Sequence, residues 1–163
     1  MKLEYLNAME EALLSSLSLR SAAYAVVGSH AVLCHSPPER PNGMLRTIGD
    51  LDVLVDTTHA NLVKISSALL SLGIHLSAMQ LEEMFQASIV PNLTHGYSAQ
   101  LLPTITGVST EAVLQSARMA ITPNIGKVPV IERIALMEAK KAAGRPKDLE
   151  DLFALEAANG SAA

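Results

Sequence analysis

The residues best suited to chemistry in this sequence are a Gly-Ser pair and two aspartates. Gly28 and Ser29 follow the apolar run 22–27, and one apolar residue separates Asp50 from Asp52. A Gly-Ser pair at a strand-to-helix turn lets the backbone approach a phosphate and offers it N–H groups and a hydroxyl. Alternate strand residues point to the same side, roughly 7 Å apart, which suits carboxylates that hold Mg²⁺ on a nucleoside triphosphate. The pattern predicts a phosphate site that faces a metal site.

The composition is that of a single globular domain. The chain has 163 residues, 49% of them hydrophobic, which is enough to build a real core. We expect one domain over residues 1–156, followed by a flexible C-terminal tail of small residues at 157–163. The formal net charge of -4 argues against a broad nucleic-acid-binding surface, because such surfaces depend on clustered Lys and Arg.

Three features of the sequence favour a cytoplasmic protein. The single cysteine, Cys34, excludes an internal disulfide framework and fits a reducing compartment. Glu10 and Glu11 interrupt the first apolar pattern, and a secretory signal carries no acids there. No apolar run reaches membrane-spanning length, so we expect no membrane partner.

Hydrophobic periodicity places both motifs within alternating strands and helices. In the first half it predicts a helix near 3–19, a strand at 24–27, a short helix at 29–35, a strand at 51–55 and a helix that ends near Gly73. In the second half it predicts strands at 74–78, 87–90 and 98–102, with a turn at 91–96. A helix through Met119 and an extended segment at 128–130 follow, and then a helix from 131 to near Gly144. A last helix is predicted from Pro146, and it buries Leu149, Leu152 and Phe153. This alternation indicates an α/β (α+β) sheet covered by helices.

The motifs resemble a known family. The order Val26-Val27-Gly28-Ser29-His30-Ala31, then Arg46, then Asp50-Leu51-Asp52-Val53-Leu54-Val55, is similar to the polymerase-beta nucleotidyltransferase superfamily in its small bacterial branch, which includes the minimal and the abortive-infection toxin nucleotidyltransferases. The segment 140–152 is similar to the element K-x-A-A-G-R-x-K-D-x-x-D that closes the domain in that branch. The two motifs lie near opposite ends of the chain. The resemblance implies the nucleotidyltransferase fold, a mixed twisted sheet flanked by helices.

The resemblance also implies an activity. It is the Mg²⁺-dependent transfer of a nucleotidyl group from a nucleoside triphosphate to a hydroxyl of an unknown acceptor: a small molecule, a protein or an RNA end. Asp50 and Asp52 would be the catalytic and metal-binding residues, and Gly28, Ser29 and Arg46 would bind the nucleotide. A toxin–antitoxin or resistance system is a context that such a protein would fit.

One position departs from the family pattern. Active members supply a third carboxylate from a later strand, and in the matching stretch, 98–102, Gln100 occupies that position. An amide is a neutral ligand and a poor general base, so the attacking hydroxyl would lack its activator. The alternative is therefore a catalytically degenerate member that acts as a nucleotide-binding or partner-binding module.

Several residues have a structural alternative to a functional role. Arg46 could orient phosphate or form a surface ion pair. For the charged group Lys140, Arg145, Lys147 and Asp148, a turn held by local charge pairs is the favoured interpretation. His30 and Cys34, four residues apart, could be a metal pair, but packing explains them more simply. A purely structural subunit, which pairs with a helical partner through the first helix or through the face near Met79 and Met84, is a further possibility, as is a homo-oligomer.

Overall fold

The secondary structure follows from short apolar runs that become central strands and from amphipathic segments that become helices. The computed structural model describes residues 1–40, 42–93 and 98–160. The helices are α1 (Ala8–Leu19), α2 (Gly28–His35), α3 (His59–Ser71), α4 (Ala78–Gln86), α5 (Thr110–Ser116), α6 (Arg133–Ala143) and α7 (Pro146–Gly160). The strands are β1 (Tyr24–Val27), β2 (Leu51–Val55), β3 (Asn92–Leu93), β4 (Ala99–Leu102), β5 (Arg118–Thr122) and β6 (Gly126–Val130).

The strands form one open, mixed sheet in the order β3-β4-β2-β1-β6-β5. β1 pairs with β2 antiparallel and with β6 parallel, and β2 pairs with β4 parallel. Every residue of β1 is buried, as expected of a central strand covered on both faces. These pairings confirm the prediction of a mixed sheet flanked by helices.

The register of the central strands brings the two sequence motifs together. Val27 at the end of β1 pairs with Asp52 of β2, so the turn that starts at Gly28 lies beside that aspartate. On the other side of β2, Asp52 pairs with Gln100 of β4. Residues far apart in the sequence therefore meet at one end of three neighbouring strands.

Two of the strand predictions are wrong. The segment predicted as a strand at 74–78 leads instead into helix α4, and 87–90 contains no strand. Ser77 caps α4 by accepting from the N–H of Gln80, whose side chain accepts in return from the Ser77 N–H. Within α4, Leu81 is fully buried and Phe85 packs against the core one turn later. The capping box and this helical spacing outweigh the local apolar run.

Other element boundaries also differ. The first helix begins at Ala8 rather than near residue 3, because Asn7 caps it. The helix expected to continue through Met119 ends at Ser116, and the chain then forms β5, an edge strand that pairs antiparallel with β6. The turn predicted at 91–96 contains the short strand β3, and its residues 94–96 lie outside the described residues.

The last helix exposes two of the three residues that the sequence predicted to be buried, and the third, Leu152, is half-buried. Leu149 is 52% exposed and Phe153 is 60% exposed, whereas Asp148, Asp151 and Leu155 are buried. The prediction is wrong because this helix packs its acidic stripe against cationic side chains, as described below. The helix also continues to Gly160, so residues 157–160 are helical rather than tail; 161–163 lie outside the described residues.

Among the helices of residues 1–40, 42–93 and 98–160, none is both long enough and apolar enough to cross a membrane.

Candidate functional site

The turn between β1 and α2 requires glycine at position 28. Gly28 begins α2 with a φ of 67°, in the left-handed region that L side chains rarely adopt. A β-carbon at this position would also collide with the carboxylate of Asp52, whose Cγ would lie 3.1 Å away. The absence of a side chain therefore lets the carboxylate lie directly against the turn backbone.

Ser29 ties this turn to the loop that leads into β2. Its hydroxyl accepts a hydrogen bond of 3.2 Å from the backbone N–H of Gly49, the residue before Asp50. The bond fixes the position of Asp50 relative to the Gly-Ser turn. Two residues that the sequence predicted to bind phosphate are thus held beside the two predicted to bind metal.

Asp50 and Asp52 line a cavity of about 610 Å³ together with Gly28 and Ser29. Asp50 is exposed and Asp52 is half-buried. Burial raises the pKa of Asp52, and the negative charge of Asp50 adds to the rise. Two adjacent carboxylates of which one is desolvated favour a cation between them.

Cationic side chains from the junction of α6 and α7 line the same cavity: Lys140, Arg145 and Lys147. Their charges act on Asp52 and oppose the rise of its pKa. The sequence favours a purely structural role for these residues, but the structure places all three at the candidate site. The segment 140–152, which resembles the element that closes the domain in the family, contains all three cations and could have pointed to this role.

The local charge pairs that the sequence analysis expected at this junction are also present. Asp148 is 1% exposed, and its carboxylate accepts from Lys140 Nζ at 3.2 Å and from Arg145 Nε at 2.6 Å. Burial opposes ionisation of this group, but the bonds from Arg145 and Lys140 hold the pKa of Asp148 below its usual range. The buried carboxylate therefore stays ionised and orients these cations.

The rest of the cavity wall is largely apolar, apart from Gln100 and Thr106. Its apolar lining comes from β4, the loop after it, and α6: Leu102, Ile105, Leu136, Ala139 and Ala143. Gln100 lines the cavity next to Asp52, its partner in the sheet register. The cavity thus combines carboxylates, cations and an apolar surface, the groups that a metal, a polyphosphate and a nucleobase require.

Arg46, which the sequence predicted to bind the nucleotide, is not among the residues that line this cavity. Its Nη1 lies 2.8 Å from Asp151 Oδ1, and both side chains are 8% exposed. Arg46 itself lines a separate groove, together with Leu149 and Phe153 of α7. The guanidinium is engaged in a buried ion pair with a residue 105 positions away. A role of Arg46 in nucleotide binding stays a prediction.

His30 and Cys34 do not form a metal site. Burial raises the pKa of the Cys34 thiol to about 12, which keeps it protonated at neutral pH. Burial lowers the pKa of His30, although the nearby Tyr5 backbone and Asp50 oppose this. Within the part of the chain that the structure describes, three or more His, Cys, Asp or Glu side chains nowhere cluster to hold a metal.

The carboxylate pair nevertheless fits a magnesium ion that arrives with a nucleotide. Mg²⁺ is typically held by one or two carboxylates, with substrate phosphates and water completing its octahedral shell. Asp50 and Asp52 supply that number of carboxylates at the wall of a cavity that also presents cations. The donor set matches a metal shared with a triphosphate and not one bound by the protein alone.

Replacing Gly28 by alanine tests the close approach at the turn. We expect Gly28→Ala to destabilise the fold by about 1–3 kcal/mol, because the added methyl group strains the positive φ and displaces Asp52. Thermal unfolding measures the loss. Gly43→Ala is the matched control, since Gly43 also has a positive φ, of 78°, but nothing lies near its Cβ position. An equal loss in both variants would contradict the collision at Asp52.

Comparison with protein-family models gives no match for this sequence, and neither does comparison with curated proteins.

Proposed function

We infer that this protein binds a nucleoside triphosphate with Mg²⁺ in the 610 Å³ cavity and transfers its nucleotidyl group to a hydroxyl. One observation carries the proposal. Asp50 and Asp52 lie beside the Gly28-Ser29 turn and face a group of cations across a single cavity. A triphosphate needs both signs of charge, since its metal binds carboxylates while its free oxygens bind cations and N–H groups.

Each wall of the cavity has a role in this proposal. The first turn of α2, from Gly28, offers backbone N–H groups to phosphate oxygens, and the helix dipole favours negative charge there. Lys147 is the cation best suited to an outer phosphate, because Lys140 and Arg145 already contact Asp148. The apolar wall formed by Leu102, Ile105 and Leu136 is suited to the base.

The chemistry is an in-line displacement at phosphorus. Bound magnesium would neutralise the charge that develops on the phosphate oxygens and would align the attacking and leaving groups. Asp50 and Asp52 would hold the metal in place, and the cations of the α6–α7 junction would stabilise the leaving pyrophosphate. Because Asp148 holds Lys140 and Arg145 in place before the substrate arrives, little reorganisation of these two cations is needed during the reaction.

The second candidate function is binding without transfer, and Gln100 favours it. Gln100 is the register neighbour of Asp52 and lines the cavity, where a third carboxylate would serve as general base. A neutral amide can accept a hydrogen bond from the attacking hydroxyl but cannot take its proton. A protein of this kind would act as a nucleotide-binding or partner-binding module.

Installing the acid separates the two functions. We expect Gln100→Asp to raise transfer of label from α-phosphate-labelled ATP or GTP about 100-fold, the scale of general-base catalysis, while Mg-ATP affinity changes little. The measurement is label transfer with the full chain, alongside calorimetric binding. Gln86→Asp, a change of the same type on α4, is the control. Binding without transfer in the wild type and in Gln100→Asp would favour the second candidate.

A further inference from the structure

Arg46 belongs to a chain of ion pairs that ends at the wall of the cavity. Its Nη1 lies 2.8 Å from Asp151 Oδ1, and the other oxygen of that carboxylate, Oδ2, lies 2.9 Å from Lys140 Nζ. Lys140 lines the cavity. The loop before β2 is thus connected, through one carboxylate of α7, to a cation that faces the proposed nucleotide.

The three side chains of this chain of ion pairs are largely buried. Those of Arg46 and Asp151 are each 8% exposed, and that of Lys140 is 11% exposed. Water and salt screen such charges weakly, so each of them acts on its neighbours more strongly than a surface ion pair would. Within the described residues, Asp151 Oδ2 accepts no hydrogen bond, so its contact with Lys140 is an attraction between charges.

The charges around Lys140 do not cancel. The cluster contains two carboxylates, of Asp148 and Asp151, and three cations, Arg46, Lys140 and Arg145. One positive charge is therefore left over. The charge of Lys140 reaches the candidate metal site, because it opposes the rise that burial causes in the pKa of Asp52. Without Arg46, the negative charge of Asp151 would act on Lys140 alone and would offset that influence.

We propose that Arg46 is a positioning residue: by pairing with Asp151, it keeps the charge of Lys140 available to the phosphates of a bound nucleotide. The proposal rests on the proposed function. It applies equally to a protein that transfers a nucleotidyl group and to one that only binds the nucleotide. The competing explanations are direct contact between Arg46 and the nucleotide, and a role in stability alone.

The direction of the change in affinity separates positioning from a role in stability alone. Asp151→Asn removes the carboxylate that competes for Lys140, while Asp148 still holds this side chain at 3.2 Å. We expect the variant to bind Mg-ATP about fivefold more tightly, although its fold is less stable. Arg46→Met is expected to bind Mg-ATP about tenfold less tightly. Residues that only stabilise the fold would not shift stability and affinity in opposite directions.

Double variants show whether Arg46 acts through its neighbours. Arg46→Met with Asp151→Leu removes both charges, so the affinity should return at least to that of the wild type. In the Lys140→Met background, adding Arg46→Met should change affinity less than about twofold, because the cation on which the pair acts is gone. Direct contact of Arg46 with the nucleotide predicts that its loss weakens binding fully in both backgrounds.

The measurement is calorimetric titration of the full chain with Mg-ATP, at a temperature where thermal unfolding shows each variant to be folded. Arg40→Met is the matched control. Arg40 lies on the same loop and pairs at 3.4 Å with Glu150, the residue before Asp151, but the Glu150 side chain is 59% exposed. We expect Arg40→Met to leave Mg-ATP affinity unchanged.

The outcomes separate this proposal from the proposed function. If the wild type binds Mg-ATP but a folded Asp151→Asn binds it no more tightly, or if Arg46→Met and Arg40→Met weaken it equally, the positioning role is refuted alone. Should Asp151→Asn not fold, the double variant Arg46→Met with Asp151→Leu decides: recovered affinity supports the role, and persistent weakening refutes it. If the wild type binds no Mg-ATP, the proposed function is refuted and the positioning role fails with it.

Discussion

The double substitution Asp50→Asn and Asp52→Asn will remove magnesium-dependent nucleotide binding, with an affinity loss of at least about 1,000-fold. The expected size follows because a metal bound to a phosphate contributes several kcal/mol, and each 1.4 kcal/mol is a factor of ten. Calorimetric titration with Mg-ATP and Mg-GTP measures the loss. The protein itself will remain folded, because the substitution relieves repulsion between adjacent carboxylates, of which Asp52 is half-buried.

The control for this experiment is Asp56→Asn. Asp56 follows the same strand, but its carboxylate accepts from the N–H and hydroxyl of Thr58 and lies outside the cavity. We expect its substitution to leave nucleotide affinity unchanged. Mg-ATP binding of normal strength in the double variant would show that the nucleotide, if it binds, binds elsewhere.

The pH dependence of binding follows from the same carboxylates. Burial raises the pKa of Asp52 above its ordinary 3.8, so the folded protein holds this proton more tightly than the unfolded chain does. The ionised group therefore costs stability, and that cost appears as pH rises from 3.8 through the raised pKa. Magnesium needs the ionised form, so metal-dependent binding will weaken as pH falls through the same window.

The second large effect is expected from Asp151→Asn, which will destabilise the fold by about 3–5 kcal/mol. The Asp151 side chain is 8% exposed and is flanked by Arg46 Nη1 at 2.8 Å and Lys140 Nζ at 2.9 Å. Removing one partner of a buried ion pair leaves an uncompensated charge in a low dielectric, which is the costly case. Lys140 keeps Asp148, at 3.2 Å, whereas Arg46 loses its carboxylate. Urea denaturation measures the change in the free energy of unfolding.

The adjacent residue provides a matched control. Glu150 pairs with Arg40 at 3.4 Å, but its side chain is 59% exposed, so Glu150→Gln should cost less than about 1 kcal/mol. Replacing both partners, as Arg46→Met with Asp151→Leu, should recover most of the loss, because buried pairs exchanged for apolar residues are often neutral. Similar destabilisation by Asp151→Asn and Glu150→Gln would show that burial of the pair contributes nothing.

The central part of the fold was predictable from local sequence. The strands β1 and β2 were predicted with the bounds that the structure gives them, because a central strand that is buried on both faces is mostly apolar; Asp52 of β2 is the exception. The Gly28 turn and the end of α6 at Gly144 also follow from residue type, since both glycines have a positive φ. The sequence was sufficient to predict these elements because burial or backbone geometry alone sets the residue type in them.

Predictions failed where tertiary contacts decide between alternatives. The segment at 74–78 has the apolar content of a strand, but the Ser77 cap and the burial of Leu81 favour α4 after it. The local sequence at the start of β5 is equally compatible with a helix. β5 forms because it pairs with β6. β-propensity depends on the partner strand, so isolated apolar runs do not settle it.

The candidate site shows the same division. The sequence by itself determined the Gly28-Ser29 turn and the Asp50 and Asp52 pair, because each depends on residues close together in the chain. Only the tertiary structure decided which cations belong to the cavity. It engages Arg46 with Asp151, 105 residues away, and brings the α6–α7 junction to the aspartates. An arginine beside an aspartate in sequence carries no information about a distant carboxylate, and long-range ion pairing is settled only when the helices pack.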